Sequence, residues 1–337
     1  MQVALIIDGS LAAKTGGTIY DRQIAVGLRG LGWTVDVFGL DGLALLPDGA
    51  LALIDGLAYA SGAEPIERHA ARLRLVALVH LPLACEIGLD AGDAARRRAI
   101  ERRVLSAVKQ VIVTGRRPIE WLERQGIDRG RIAVVQPGTF SPMVPVTTTG
   151  TSERQGPVQL LSVGALTPGK GHEALIRALV RMPAVAWSLR CAGSLTRHEG
   201  TAAAVRALID HHRLGDRVIL LDEIDEPQLR GEYGDADVFV LATWRETYGM
   251  AVAEAIAHGL PVVSTDTGAI REIVGPAGFI VAPGDEQALA GALTQVVASP
   301  ALRREFAAAA RLQRTLLPTW AEAARGMAGI LQAVADG

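Results

Sequence analysis

The sequence repeats one pattern, a short apolar run followed by a helical stretch, and pauses in it once. The runs VALIID, VDVFGL, LALIDGLAY, LVALVHL, VIVTG and IAVVQPG read as strands, with helices such as 18–30 and 94–108 among the segments between them. Strands apolar along their whole length are covered on both faces, and helices between successive strands make the sheet parallel. The pattern stops in SPMVPVTTTGTSERQGP, residues 141–157, which is rich in Pro, Thr, Ser and Gly and reads as a linker. It resumes with VQLLSVGAL, WSLRCAG, RVILLDEI, DVFVLAT, PVVST and GFIVAP. The expected fold is therefore α/β, with two doubly wound Rossmann-like domains at 1–142 and 158–317 joined by a linker at 143–157. Two domains also suit a chain of 337 residues, long for a single core. A last helix, from about Trp320 to Val334, follows Pro318 and belongs to neither run.

Bulk properties narrow the function. The net charge is −2 and the pI about 6.4, which gives no electrostatic case for a nucleic-acid partner. Cys85 and Cys191 match no metal-ligand spacing; they read as buried thiols in a reducing cytoplasm. MQVALIIDGS lacks a basic leader and reads as a first strand. No apolar stretch approaches the ~20 residues that span a bilayer. The basic run ARRRAIERRV holds Arg96, Arg97, Arg98, Arg102 and Arg103. It reads as a solvated helix face, or as a contact for an anionic acceptor or the inner membrane surface. Neither an H-x-E pair nor a C-x-x-C occurs, so no metal is expected.

In open α/β sheets ligands bind beyond the carboxyl ends of strands. After the first strand, Gly16 and Gly17 stand where a helix begins. Bare backbone N–H groups there suit a phosphate or sugar, and a double glycine serves equally as a tight turn. In SVGALTPGKGHEALIRAL a glycine turn, including Gly164, leads to Lys170 and Gly171. The P-loop register fails, because Gly171 stands at the hydroxyl position. A lysine at a helix start opposes the macrodipole, and a bound phosphate would compensate it.

In RETYGMAVAEAIAHGLPVV, Glu246 precedes a helix expected to start near Thr247, and Glu254 lies on it. At ~1.5 Å per residue the two carboxylates stand about 12 Å apart. Such a pair brackets a ligand with a charged middle and hydroxyls at both ends, which is the layout of a nucleotide sugar. Glu254 sits in the nearly apolar MAVAEAIA, where a carboxylate needs partners.

The stretch RETYGMAVAEAIAHGLPVVSTDTGAIREIV resembles the E-x7-E region of retaining, family-4 glycosyltransferases of GT-B fold. The TGGTIYDRQIAVGL glycine loop, LVHLPL and VGALTPGKG extend the resemblance over nearly the whole chain. It implies two domains facing across a cleft, the first on the acceptor side with helix 318–337 packed back on it, and the second binding the nucleotide sugar. Glu246 would hold the donor sugar and Glu254 the ribose. The backbone of Tyr248, Gly249 and Met250, with Lys170, would hold the diphosphate, and Gly16 and Gly17 would close over it. His80 would face the sugar. The acceptor would be a carbohydrate, a lipid-linked or a small-molecule hydroxyl, with no cofactor beyond the donor. One position departs: the arginine the family commonly carries after the VG glycine is Ala165 here, and Arg245 is the candidate substitute cation. The alternatives are a nucleotide-sugar epimerase or hydrolase of the same fold, or a non-catalytic binding subunit.

Overall fold

The structure, a computed structural model, describes residues 1–140 and 156–337, so most of the expected linker lies outside the described residues. It divides into two compact units: Met1–Gly138 together with Pro318–Gly337, and Thr139–Leu317.

In the first unit the strands are β1 (Gln2–Ile6), β2 (Thr34–Phe38), β3 (Leu51–Asp55), β4 (Arg74–Val79), β5 (Gln110–Val113) and β6 (Ile132–Val134), paired in parallel in the order β2-β1-β3-β4-β5-β6. Its helices are α1 (Gly16–Gly30), α2 (Glu64–His69), α3 (Ala91–Ala107) and α4 (Pro118–Arg124), plus the last helix of the chain. In the second unit β7 (Val158–Val163), β8 (Trp187–Ala192), β9 (Val218–Asp222), β10 (Val238–Leu241), β11 (Val262–Thr265) and β12 (Gly278–Val281) form a parallel sheet in the order β12-β11-β10-β7-β8-β9. Its helices include α5 (His172–Val180), α6 (Glu199–His211), α7 (Glu226–Asp235), α8 (Met250–Ala257), α9 (Ile270–Val274), α10 (Glu286–Ala298) and α11 (Pro300–Gln313).

Strands such as Leu51–Asp55 are buried at every residue, as a sheet with helices on both faces requires. Each order has one point where the chain reverses its direction across the sheet, between β1 and β3 and between β7 and β10. Loops leaving the carboxyl ends of those neighbours diverge to opposite faces, and the crevice left between them is where such folds take ligands.

The last helix, α12 (Trp320–Asp336), packs on the first unit: Ala323, Met327 and Leu331 join Val3, Leu5, Ile24 and Leu28 in one core. Its start is fixed by a capping box, in which Thr319 Oγ1 accepts from Glu322 N and Glu322 Oε2 accepts from Thr319 N. Thr319→Ala is expected to cost about 1 kcal/mol, read as a lower urea midpoint. An unchanged midpoint would mean the helix is held by its apolar face alone.

Candidate active site

In the second unit the reversal point brings two distant loops together. After β7 the chain makes a 3-10 turn at Pro168–Lys170 and enters α5 through Gly171, whose φ is +69°. A Cβ at Gly171 would lie 2.0 Å from the Ala242 carbonyl oxygen, so only glycine lets this turn press against the exit of β10. Two hydrogen bonds to the Gly169 carbonyl, from Thr243 Oγ1 and Trp244 N, both 2.9 Å, tie the loops. The result is an ion pair between Lys170 Nζ and Glu246 Oε1. Gly164 lies against the stem of Lys170. Within the chain, the partner of Lys170 is Glu246, whose side chain is only 15% exposed. Ala165 is half-buried, and Arg245 is exposed with no ion pair among the described residues.

The helix expected from Thr247 begins at Met250 instead. Gly249, its N-cap at φ +106°, is left-handed and cannot continue a helix backwards. Glu246 therefore sits in the loop, and the separation reckoned from helical rise does not apply. The Tyr248 ring is buried in the core, so this residue offers a site its backbone alone. The first N–H groups of α8 have no acidic residue in the first turn to meet them, leaving an anion-accepting helix start.

Glu254, on α8, accepts from Tyr233 Oη at 3.0 Å through Oε2, while Oε1 makes no hydrogen bond among the described residues. Tyr233 stacks on His258 with ring centroids 4.8 Å apart, and His258 Nδ1 meets the Glu254 carbonyl at 2.8 Å. Burial pushes the Glu254 carboxyl up to about 7, against the opposing pull of the Tyr233 bond. His172 is buried at the start of α5. Burial first, then Lys170, push its pKa down to about 4, so it is neutral.

In the first unit α1 starts at Gly16, with Thr15 as N-cap and no acid in its first turn. A Cβ on Gly17 would come within 3.1 Å of His80 Cδ2, so glycine lets the helix start lie against this ring. His80 follows β4, and its Nε2 lies 3.0 Å from Asp21 Oδ1 and 3.4 Å from Asp55 Oδ1. One ligand-capable atom from each of these three residues lies within 4.8 Å of the others, and the ring hydrogen-bonds to Asp21. Tyr20 packs edge-on at 5.1 Å.

Sequence reading brought out Lys170, Glu246, Glu254 and His80 but not Asp21, Asp55 or Tyr233. Asp21 carries a legible signal: with Tyr20, Ile24, Ala25 and Leu28 it falls on the buried face of α1, where a lone carboxylate needs a partner. Tyr233 carries none, because its partner is 21 residues away on another helix.

In the basic run, Arg96 pairs with Asp93, Arg97 with Glu86 and Arg103 with Glu67, while Arg98 and Arg102 are exposed. Cys191 is buried and Cys85, expected buried, is half-buried. No helix among the described residues is long and apolar enough to cross a membrane. A cavity of about 410 Å³ lined by Gly49, Arg72, Arg74 and Lys109 lies at the amino ends of the first unit's strands, at the opposite end from the crevice at the reversal point of that sheet.

Residues 150–313 match the family model described as Glycosyl transferases group 1, so the second unit carries a domain of that family. The chain is 32% identical over 244 residues to a D-inositol 3-phosphate glycosyltransferase of Xylanimonas cellulosilytica, covering 67% of this chain and 57% of that protein. It is 31% identical over 188 residues to a glycogen synthase of Mycobacterium tuberculosis, covering 55% and 44%. The chain spans about half the length of the curated relatives it matches. Among solved structures, it is similar to the sucrose-phosphate synthase of Thermosynechococcus elongatus, with TM-score 0.82, 23% identity and coverage of 99% and 98%. Anabaena HepE in complex with UDP-glucose matches with TM-score 0.77, 19% identity and coverage of 99% and 100%. The fold is GT-B.

Proposed function

We propose that the protein is a retaining glycosyltransferase that moves a sugar from a nucleoside-diphosphate sugar to an acceptor hydroxyl. The observation that carries this reading is the Lys170–Glu246 pair at the reversal point of the second unit, beside the bare start of α8. The family match over 150–313 and the glycosyltransferase names of the relatives support it. Lys170 and the N–H groups at Gly249 and Met250 hold the diphosphate, with no metal required. Glu246 takes the sugar hydroxyls, and the open Oε1 of Glu254 takes the ribose diol, since a carboxylate accepts two hydroxyl hydrogen bonds at once. His80, Gly16 and Gly17 serve the sugar from the acceptor-side unit, and exposed Arg98 and Arg102 face an anionic acceptor or lipid surface at the cytoplasmic side.

In the reaction the bond from the anomeric carbon to the diphosphate oxygen breaks, and the acceptor oxygen bonds to that carbon on the same face. The acceptor proton passes to the departing phosphate oxygen. Negative charge grows on the leaving group as this happens, and preorganised positive groups lower the barrier.

A thermal-shift panel of UDP-, GDP- and ADP-sugars tests the reading. A ligand of the folded state at a hundredfold excess over its dissociation constant adds about 2.7 kcal/mol; a panel with no shift contradicts it. A pH effect follows as well. The ionised Glu254 carboxylate is the hydroxyl acceptor, and its pKa is raised to about 7, so donor affinity should increase as pH rises through 7. Tyr233→Phe removes the bond that lowers this pKa, and should move that rise upward by about one unit. Calorimetry of donor binding from pH 5.5 to 8.5 checks it, and affinity that falls across this window counts against the role of Glu254.

A further inference from the structure

In the first unit His80 stands against two buried carboxylates that have no part in the proposed chemistry. Asp21 is 3% exposed and Asp55 5%, yet both turn a carboxylate oxygen to the same ring nitrogen of His80. Asp55 Oδ1 has no hydrogen bond within ordinary geometry, while its Oδ2 accepts from Leu57 N at 3.3 Å. Two carboxylates in a buried site repel each other unless a positive charge stands between them. The imidazole ring is the group placed to carry it. The ring is fixed in place by the edge of Tyr20, whose hydroxyl donates to the Val135 carbonyl at 2.9 Å, and by the start of α1 at Gly17. With Nε2 committed to the carboxylates, Nδ1 is the ring nitrogen with no partner among the described residues.

We propose that Asp21 and Asp55 are positioning residues that keep His80 doubly protonated, so that Nδ1 presents a fixed N–H to a hydroxyl oxygen of the sugar substrate. A neutral ring held through Nε2–H would offer a lone pair at Nδ1 instead, and would accept from the same hydroxyl. The two carboxylates therefore choose whether His80 donates or accepts.

The electrostatics agree. Burial disfavours the charged ring, but the Asp21 charge and hydrogen bond, and then Asp55, outweigh it and raise the His80 pKa. The other titratable group against the ring, Tyr20, is held neutral by burial first and by Asp21. A raised histidine pKa means that the charged form is present below that pKa and is lost as pH rises through it. Thr114, just past the end of β5, donates to the His80 carbonyl at 3.4 Å, and Trp320 packs edge-on against Tyr20.

The cluster's role rests on the glycosyltransferase reading, but its protonation can be read without it. An NMR titration of the His80 ring in EDTA-containing buffer, assigned by the signal lost in His80→Gln, should place its midpoint above the ordinary ~6.5. Asp21→Asn should lower that midpoint by about one unit or more, and Asp55→Asn should lower it by less. Where one variant fails to fold, the other carries the same test. A wild-type midpoint at or below 6.5, or one that neither variant moves, overturns the proposal. With a turned-over donor, kcat/KM should fall as pH rises through the NMR midpoint, and this limb should move down in Asp21→Asn. A merely structural aspartate would lower activity without moving the limb, and that result also overturns the proposal. If the ring titrates as stated while no nucleotide sugar binds, the cluster stands and the glycosyltransferase reading falls.

Discussion

Lys170→Ala is expected to lower turnover by about a hundredfold or more, the range seen when one preorganised electrostatic donor is lost. The lysine matters most in the transition state, because the diphosphate gains charge only as the sugar leaves. Three features of the structure sharpen the expectation. The turn that presents Lys170 is fixed by Gly171 against the exit of β10, so the charge is held in place before substrate arrives. Ala165 brings no second cation to the turn. Glu246 pairs with Lys170, so removing the lysine also frees the carboxylate proposed to hold the sugar. A double-variant cycle of Lys170→Ala with Glu246→Gln measures how much of the loss the pair shares. Lys170→Arg should recover only part of the rate, because a planar fork does not reproduce a point charge and Gly164 crowds the stem. Near wild-type turnover in Lys170→Ala would put the diphosphate elsewhere, and Arg245 would then be the first residue to replace.

Glu254→Gln is expected to weaken donor binding by about ten- to a hundredfold, the value of one hydrogen bond to a charged group, with a much smaller change in kcat. The ribose is remote from the bond that breaks, so this interaction is nearly the same in ground and transition states and appears in KM. The fold should survive, because Tyr233 Oη can donate to the amide oxygen as it does to Oε2. An unchanged KM with collapsed turnover would place Glu254 at the reacting centre instead.

The sheets were legible because a strand buried on both faces leaves an apolar run, and every run read as a strand overlaps an observed one. Helix starts were read less well. The α8 boundary slipped by three residues because MAVAEAIA and the preceding Thr-Tyr are equally compatible with a helix, and only the left-handed Gly249 stops it. Gly249 was visible in the sequence, but its φ was not. Glu246 and Lys170 were singled out one by one from their turns, whereas their pairing spans 76 residues and arises from the strand order around β7 and β10. The same holds for Asp55: it ends an ordinary strand in the sequence, and only the adjacency of β3 and β4 sets it against His80.

Calorimetric titration with the nucleoside diphosphate whose sugar wins the panel tests the central claim most directly. The account predicts one site per chain, with affinity weakened about tenfold or more by Lys170→Ala and by Glu254→Gln, and unchanged by Asp21→Asn. Binding that is absent, or that neither Lys170→Ala nor Glu254→Gln weakens, would contradict a donor site built on these two residues.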